Sequence, residues 1–310
     1  MSIPIVDIST PGAAHLVARA CEEYGFLSIV GHGVDLDLLE AAWSDARRFF
    51  DQPLETKMRV AMPTPGYPYG YSPIRGETLA RSQGQAARPD RKQSLAIGPV
   101  DPPTHRFADA DEEFAWSPNL WPESPSSLRQ TWSARYRAMS DLAARLLALM
   151  ADSLELDERH FDALIDRHTS AMRALDYPGR DEFTNQSEEL GASAHTDYGT
   201  LTILEVDPIE PGLEVQELDG SWIPVMAPPG ALVVNLGDAM ERWTNDLWRS
   251  TMHRVQVPAH RRQSIAFFHN ANWDAVIECL EPCRGNGANY APIEAGPHLM
   301  NKFRSTVNTY

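Results

Sequence analysis

The sequence predicts a mainly β fold, a sandwich or barrel, with helices ahead of it and at its flanks. Short runs with strand-like patterning follow one another closely in the second half: LTILEV at 201–206, LEVQEL at 213–218, SWIPV at 221–225, ALVVNL at 231–236, HRVQV at 253–257 and SIAFFH at 264–269. Gly, Pro and Asp punctuate them, as expected of strands joined by turns. Helical periodicity is confined to the part before residue 170, so the β core is placed at about 171–275.

In chain order, IPIVDI at 3–8 reads as a short strand. Residues 13–24 are helical up to Gly25, a C-capping glycine. FLSIV at 26–30 is a strand stopped by Gly31-His32-Gly33. Leu36, Leu39, Trp43, Arg47 and Phe50 mark one face of a helix over 35–50, and Pro53 opens a short one. Residues 61–100 are rich in Gly and Pro and poor in aliphatics, which predicts a long irregular segment of functional rather than structural use. Leu128, Trp132, Tyr136, Met139, Leu142, Leu146 and Leu149 predict the longest helix, over 126–153, and a second covers about 157–168. The segment 276–310 closes the chain, and with 61–100 it is the candidate for a substrate mouth.

With 310 residues the chain is long enough for two domains at roughly 150 residues each, although β barrels and sandwiches run longer as one unit. The net charge of −16 argues against a general nucleic-acid binder, which needs a basic face, and against electrostatic docking on anionic membranes. The most apolar uncharged stretch, near Trp222–Gly237, is broken by Pro224, Pro228, Pro229 and Gly230 and reads as strand and turn. Three cysteines, Cys21, Cys279 and Cys283, form no CxxC pair and suggest a reducing, cytoplasmic home; the N-terminus lacks the basic start of a signal peptide.

HxD occurs twice. In His160-Phe161-Asp162 the pattern is helical, and residues two apart on a helix point about 200° apart, so they cannot grip one ion. In His195-Thr196-Asp197 the context is extended, and the two side chains project to one face. With a distant second His, this is the donor set of a 2-His-1-carboxylate iron centre. His253, opening a strand-like run, is the leading third ligand; His260, in a charged turn, and His269, ending an apolar strand, are its rivals. Arg262 and Ser264 are again two apart on a strand, where a guanidinium fork and a hydroxyl make a receptor for a carboxylate. Arg75, Arg81, Arg88, Arg91 and Lys92, against Glu77 and Asp90, give the 61–100 segment a local excess of positive charge; it reads as a solvated loop or, more sharply, through Arg75, Arg81, Arg88 and Arg91, as a lid that meets an anionic, carboxylate-bearing small substrate. Trp222, Trp243 and Phe268 read as core, and Gly237-Asp238 as a turn with local hydrogen bonds.

Ordered blocks along the chain make the pattern more specific. They are Asn119-Leu120-Trp121-Pro122, Tyr177-Pro178, His195 through Thr202, Gly212-Leu213-Glu214-Val215, Asp219-Gly220-Ser221-Trp222, Val234 through Asp238, Arg242-Trp243-Thr244-Asn245, Ser250-x-x-His253-Arg254-Val255 and Arg262-Gln263-Ser264. In these the sequence resembles the isopenicillin N synthase-like family of Fe(II)/2-oxoglutarate-dependent oxygenases, over essentially its whole length. The resemblance implies a single oxygenase domain over 1–310, its core a double-stranded β-helix, or jelly roll. It implies His195, Asp197 and His253 as iron ligands, and Arg262, Ser264 and Tyr177 as the pocket for 2-oxoglutarate. It implies O2 as oxidant, with hydroxylation, desaturation or ring closure of a small molecule and release of succinate and CO2. Many members carry Asn two residues before the Tyr; here that position is Leu175. An oxidase of the same fold that dispenses with 2-oxoglutarate is the alternative, and a non-enzymatic binding barrel the more distant one.

Overall fold

A computed structural model describes residues 2–64, 66–76, 89–101, 103–180 and 190–306. The first part runs β1 (Ile5–Asp7), α1 (Ala13–Glu23), β2 (Phe26–Val30), α2 (Leu36–Phe50), α3 (Leu54–Met58), β3 (Gly70–Ser72), β4 (Gln93–Ile97), α4 (Ala110–Ala115), α5 (Leu128–Ser153) and α6 (Asp162–Ile165). The strand-rich part continues through β5 (Ala171–Tyr177), β6 (Ala192–His195), β7 (Leu201–Val206), β8 (Leu213–Gln216), β9 (Trp222–Pro224), β10 (Leu232–Leu236), α7 (Asp238–Trp243), β11 (His253–Val255) and β12 (Arg262–His269). β13 (Val276–Ile277), β14 (Ile293–Glu294) and α8 (Ala295–Thr306) follow.

The strands build a jelly-roll core. An eight-stranded sheet, ordered β1-β2-β10-β7-β12-β5-β4-β3, opposes a four-stranded sheet, ordered β6-β11-β8-β9. The two faces of the larger sheet divide by strand alternation. Met172, Ala174, Ile265 and Phe267 join Trp132, Tyr136, Met139 and Leu142 of α5 in the main core. Arg173, Leu175 and Tyr177 of β5, and Arg262, Ser264, Ala266 and Phe268 of β12, line a cavity instead. Because α5 covers one side and the cavity lies on the other, β12 is almost entirely buried and reads as a continuous apolar run after its first residues.

Local signals behave as physics requires. The chain leaves α1 through Gly25, at φ +65°, whose N–H bonds back to the carbonyls of Ala20 and Cys21. A side chain there would meet the carbonyl oxygen of Arg249 at 2.2 Å. In α5 the buried residues follow the expected face, and Trp132 Nε1 donates to Ala42 O at 3.1 Å, tying it to α2.

Three expectations change. The segment 61–100 is not irregular throughout: β3 and β4 lie in it and extend the larger sheet beyond β5. β4 is buried on both faces, so it lacks the alternation that marks a half-exposed strand. The helix expected over 157–168 is only α6, and His160 sits in the preceding turn. The C-terminal segment carries a helix, α8, anchored by ion pairs from Lys302 to Asp238 and from Arg304 to Asp111.

Candidate active site

β6 and β11 are antiparallel neighbours in the smaller sheet, with His195 paired to His253. Their rings lie 4.3 Å apart, and Asp197, two residues beyond His195, turns its carboxylate toward both. Asp197 Oδ1 is 3.8 Å from His253 Nε2 and 4.0 Å from His195 Nε2. One donor atom from each of the three side chains falls within 4.8 Å of the others, the spacing of ligands about a single ion.

The surroundings set which atoms point inward. His195 Nδ1 lies 2.7 Å from Ser193 O, and His253 Nδ1 lies 3.1 Å from Thr251 O. A carbonyl only accepts, so each Nδ1 carries the proton and each Nε2 presents its lone pair. Asp197 Oδ2 accepts from Thr202 Oγ1 at 2.6 Å and from Asn235 Nδ2 at 2.8 Å, leaving Oδ1 toward the histidines. Burial opposes ionisation of Asp197, but His253, His195, Asn235 and Thr202 together outweigh it and hold the carboxyl below its usual range. Burial, with His253 close by, pushes His195 down to about 4 against the pull of Asp197, so its imidazole is neutral near pH 7. A buried set of two imidazoles with inward-facing Nε2 atoms and one carboxylate, each steered by a further hydrogen bond, fits a divalent cation and leaves coordination positions open.

The backbone around Asp197 is clamped. Asp238 N donates to Asp197 O at 2.8 Å, Gly237 N to Thr200 O at 3.0 Å, and Ala239 N to Gly199 O at 3.1 Å. This contact needs glycine: a Cβ on Gly237 would lie 2.3 Å from Gly199 O. Asp238 does more than close a turn, since it opens α7, accepts from Ser250 Oγ at 2.8 Å and pairs with Lys302 at 2.9 Å.

The three residues stand in the wall of a cavity of about 520 Å³. Arg262, Ser264 and Tyr177 stand in the same wall. Arg262 is 2% exposed, its guanidinium 5.1 Å from the centre of the Tyr177 ring. Its Nε and Nη1 find no acceptor among the described residues. Burial draws its pKa below the ordinary arginine value, a sign of a cation short of counter-charge. Two buried N–H donors without acceptors, beside a serine hydroxyl, fit the carboxylate of a bound acid. Leu175 faces Ser264 across the strand pair, so the wall is apolar at that point.

The sequence-derived candidates divide. His195, Asp197, His253, Arg262, Ser264 and Tyr177 come together around one space. Arg75 is exposed and Arg91 is buried, and neither lines the cavity, while Arg81 and Arg88 lie outside the described residues. His260 lies in an exposed turn, and His269 Nδ1 lies 2.7 Å from Thr200 Oγ1. Phe268, read as core, lines the cavity; Trp243 is core, and Trp222 lies under Arg254. Thr202, Asn235 and Arg173 were not singled out, and Lys92 counted only toward the charge excess of the 61–100 segment. Asn235 had a signal, a polar residue inside the apolar strand ALVVNL, which must find a partner when buried.

Comparison with known proteins fixes the family. A model described as the 2OG-Fe(II) oxygenase superfamily matches residues 168–271, and one described as the non-haem dioxygenase in morphine synthesis N-terminal matches 3–124. The 2-oxoglutarate-Fe(II) type oxidoreductase hxnY of Emericella nidulans is 35% identical, over 98% of this chain and 90% of its own. The chain belongs to the 2OG-Fe(II) oxygenase superfamily. A homoarginine-6-hydroxylase of Arabidopsis thaliana is 30% identical over 98% of this chain and 97% of its own. Among solved structures, a full-length Neurospora crassa protein in complex with alpha-KG and thymine matches with a TM-score of 0.83 at 27% identity, covering 98% of this chain and 96% of that one. As a 2OG-Fe(II) oxygenase the protein is a dioxygenase that uses Fe(II), 2-oxoglutarate and O2 to oxidise a small molecule. The alternative without 2-oxoglutarate is not favoured. No helix among the described residues of this oxygenase is long and apolar enough to cross a membrane.

Proposed function

We propose that His195, Asp197 and His253 are the iron ligands of this oxygenase, and that Arg262, Ser264 and Tyr177 seat 2-oxoglutarate. The observation that carries this is a juxtaposition. Three inward-facing donors within 4.8 Å share one cavity with a buried arginine whose Nε and Nη1 have no acceptor among the described residues.

Bound Fe(II) supplies the activation of O2 that oxidises the co-substrate to succinate and CO2 and then the substrate. The chain's own part is placement. Arg262 and Ser264 draw the far carboxylate of the co-substrate to one end of the cavity by charge-assisted hydrogen bonds. Leu175, Leu213 and Ala266 give its carbon chain an apolar wall. Phe26, edge-on to His253 with ring centres 5.4 Å apart, and Phe268 keep water from the ligands. Asn235 and Thr202 hold Asp197 to a single free oxygen. On this reading the region 1–310 works as one oxygenase domain, with the mouth formed from the residues ahead of β3 and from α8, which contribute Met62, Tyr67, Leu299, Met300 and Phe303. The substrate is a small molecule sized to the cavity rather than a nucleic acid or a membrane lipid, in keeping with the net charge of −16. The free thiols of Cys21, Cys279 and Cys283 fit a cytoplasmic setting.

The test is anaerobic. Protein, Fe(II) and then 2-oxoglutarate are combined and followed by visible absorption. A metal-to-ligand charge-transfer band that is absent from Asp197→Ala and needs a far higher 2-oxoglutarate concentration in Arg262→Met supports the assignment. A band indifferent to both changes would refute it.

A further inference from the structure

We propose that Thr169 and Asn270 form a polar subsite for an amide group of the substrate; the inference rests on the iron and 2-oxoglutarate assignment above. Thr169 Oγ1 donates to the amide carbonyl, and Asn270 Oδ1 accepts from its N–H. The two residues stand just outside the ends of paired strands. β5 and β12 run antiparallel with Ala171 opposite Phe268, and one further pleat brings Thr169 opposite Asn270. Asn270 Nδ2 donates to Thr169 O at 3.1 Å, and Asn270 N donates to Ser170 Oγ at 3.0 Å, which fixes the pair. Alternation puts Ala171, Leu175 and Tyr177 of β5, and Ser264, Ala266 and Phe268 of β12, on the cavity side. Thr169 and Asn270 continue the two series into the same wall.

Both residues are buried, Thr169 at 4% exposure and Asn270 at 7%, yet neither Thr169 Oγ1 nor Asn270 Oδ1 makes a hydrogen bond among the described residues. The partner settles the orientation of the amide. A carbonyl only accepts, so Nδ2 is the atom at Thr169 O, and Oδ1 is the one left over. Gly199 gives that oxygen its space, since a Cβ there would lie 2.5 Å from it. Buried polar atoms are normally paired, and two open ones in a cavity wall mark where the polar group of a ligand goes.

The subsite lies at the metal end, away from Arg262. Along β12 the backbone from Arg262 to Asn270 spans roughly 26 Å, too far for the co-substrate diacid to bridge. Gly199, against Asn270, is two residues from Asp197, and Thr202, which holds Asp197, pairs with Phe268. A substrate held here is beside the iron ligands while the co-substrate carboxylate stays with Arg262. Phe268, two residues before Asn270 on the same face, offers a flat apolar surface, and Leu299 of α8 lines a small recess together with Thr169, Gly199 and Asn270.

The pair reads one pattern. Adjacent strands stand about 4.8 Å apart, so the hydroxyl and the side-chain carbonyl meet neighbouring atoms of a ligand rather than its two ends. A hydroxyl able to donate, next to an oxygen that only accepts, matches C=O beside N–H, as in a primary amide or a lactam. An N-methylated amide has no N–H for Asn270, and a carboxylate turns an oxygen toward its oxygen. An alcohol has to serve both protein atoms from one oxygen, whereas an amide serves the two strands from two.

The experiment uses the full chain loaded anaerobically with Fe(II) and 2-oxoglutarate, and perturbation of the charge-transfer band reports binding beside the metal. Benzamide and 2-pyridone are titrated beside N,N-dimethylbenzamide and 1-methyl-2-pyridone, with benzyl alcohol in parallel. The N–H compounds are expected to act at concentrations at least tenfold below their N-methylated partners. Asn270→Leu should erase that difference. Thr169→Val, which keeps the shape and removes the hydroxyl, should raise the benzamide and 2-pyridone concentrations needed by about tenfold, and Thr169→Ser should restore them. In the Thr169 variants the band formed by 2-oxoglutarate should persist at wild-type co-substrate concentration. If Asn270→Leu fails to fold, the Thr169 variants and the methylated compounds decide. No response to either N–H compound, an equal response to the methylated ones, tighter binding of benzyl alcohol, or a wild-type response in Thr169→Val overturns the proposal. Loss of the band in Thr169→Val also overturns it, because Thr169 would then serve 2-oxoglutarate. No band in the wild-type protein would instead defeat the underlying assignment.

Discussion

Asn235 Nδ2 donates to Asp197 Oδ2 across 2.8 Å, from β10 of the larger sheet to the end of β6 in the smaller one. The bond joins the two sheets at the proposed metal ligands and, with Thr202, consumes one carboxylate oxygen. Partners that orient a ligand in this way typically govern metal affinity by roughly 10–100-fold. Asn235→Leu is therefore expected to weaken Fe(II) binding by about that factor, read by competition with a chelator. The far-ultraviolet circular dichroism should be unchanged. Wild-type affinity in this variant would show that the bond has no steering role.

A second relay reaches His195 from the other side. Asp90 Oδ1 accepts from Ser193 N at 2.9 Å and Ser193 Oγ at 2.7 Å, while Ser193 O takes the Nδ1 proton of His195. Lys92 holds the second oxygen of Asp90. Asp90→Ala would remove the carboxylate that pairs with the buried Lys92 and free the Ser193 segment. We expect a lower melting temperature together with Fe(II) affinity reduced by about tenfold. Asp90→Asn, which keeps an acceptor for Ser193, should recover most of the metal affinity but not the melting temperature. If both variants bind iron alike and tightly, the relay does not reach His195.

Arg262 gives a prediction separable from the metal. Charge-assisted hydrogen bonds contribute about 1.5–3 kcal/mol each, or roughly 10- to 150-fold in affinity. Arg262→Met should raise the KM for 2-oxoglutarate by at least that factor and leave Fe(II) binding intact. Arg262→Lys should fall between, since an ammonium replaces a fork with a point charge. An unchanged KM in Arg262→Met would place the co-substrate carboxylate elsewhere.

How much of this was legible in the sequence follows from the range of each signal. His195, Asp197, Arg262 and Ser264 could be singled out because i, i+2 spacing on an extended chain is local, and in the structure each pair lines one cavity. His253 could be preferred over His260 and His269 only by its context; what brings it to His195 is the antiparallel register of β6 and β11, a long-range fact. β4 was invisible because it is buried on both faces, and β3 because it is three residues beginning at Gly70. Arg75 and Arg91 drew attention within a local charge excess, yet neither lines the cavity, whereas Arg173 does. That residue sat inside an ordinary strand pattern, where only the facing of β5 in the sheet distinguishes a wall residue from a solvent-facing one.

The close approach of Gly237 to Gly199 makes a prediction about the backbone beneath the site. A methyl group on Gly237 would lie 2.3 Å from Gly199 O and 2.8 Å from its carbonyl carbon, and neither can swing away like a side-chain end. Gly237→Ala must therefore push the 197–200 loop off α7. Overpacking of this kind costs about 1–3 kcal/mol. The expected result is a reduced urea midpoint and weakened Fe(II) binding in one variant. A variant with wild-type stability and wild-type metal affinity would mean that the clamp yields without strain.

Acid sensitivity follows from buried neutral histidines away from the metal ligands. Burial pushes His168 down to about 4, and His269 beside it is held well below the ordinary imidazole value, by burial first and by His168 second. His168 Nδ1 accepts from Ser170 N at 3.4 Å, so its Nε2 donates to Ser140 Oγ at 2.6 Å, an arrangement that holds for the neutral ring. Above pH 6.5 folded and unfolded chains both carry this histidine neutral, and its contribution to stability is fully present. Between pH 6.5 and about 4 the unfolded chain takes up a proton that the folded chain refuses, so stability falls as pH falls. The drop to about 4 corresponds to roughly 3 kcal/mol as an upper bound. His195 acts with the same sign in the metal-free protein. The metal-free chain should therefore lose urea resistance between pH 7 and pH 5, and His168→Gln, which cannot titrate, should lose less over the same interval. Equal losses in the two proteins would assign the acid sensitivity to other groups.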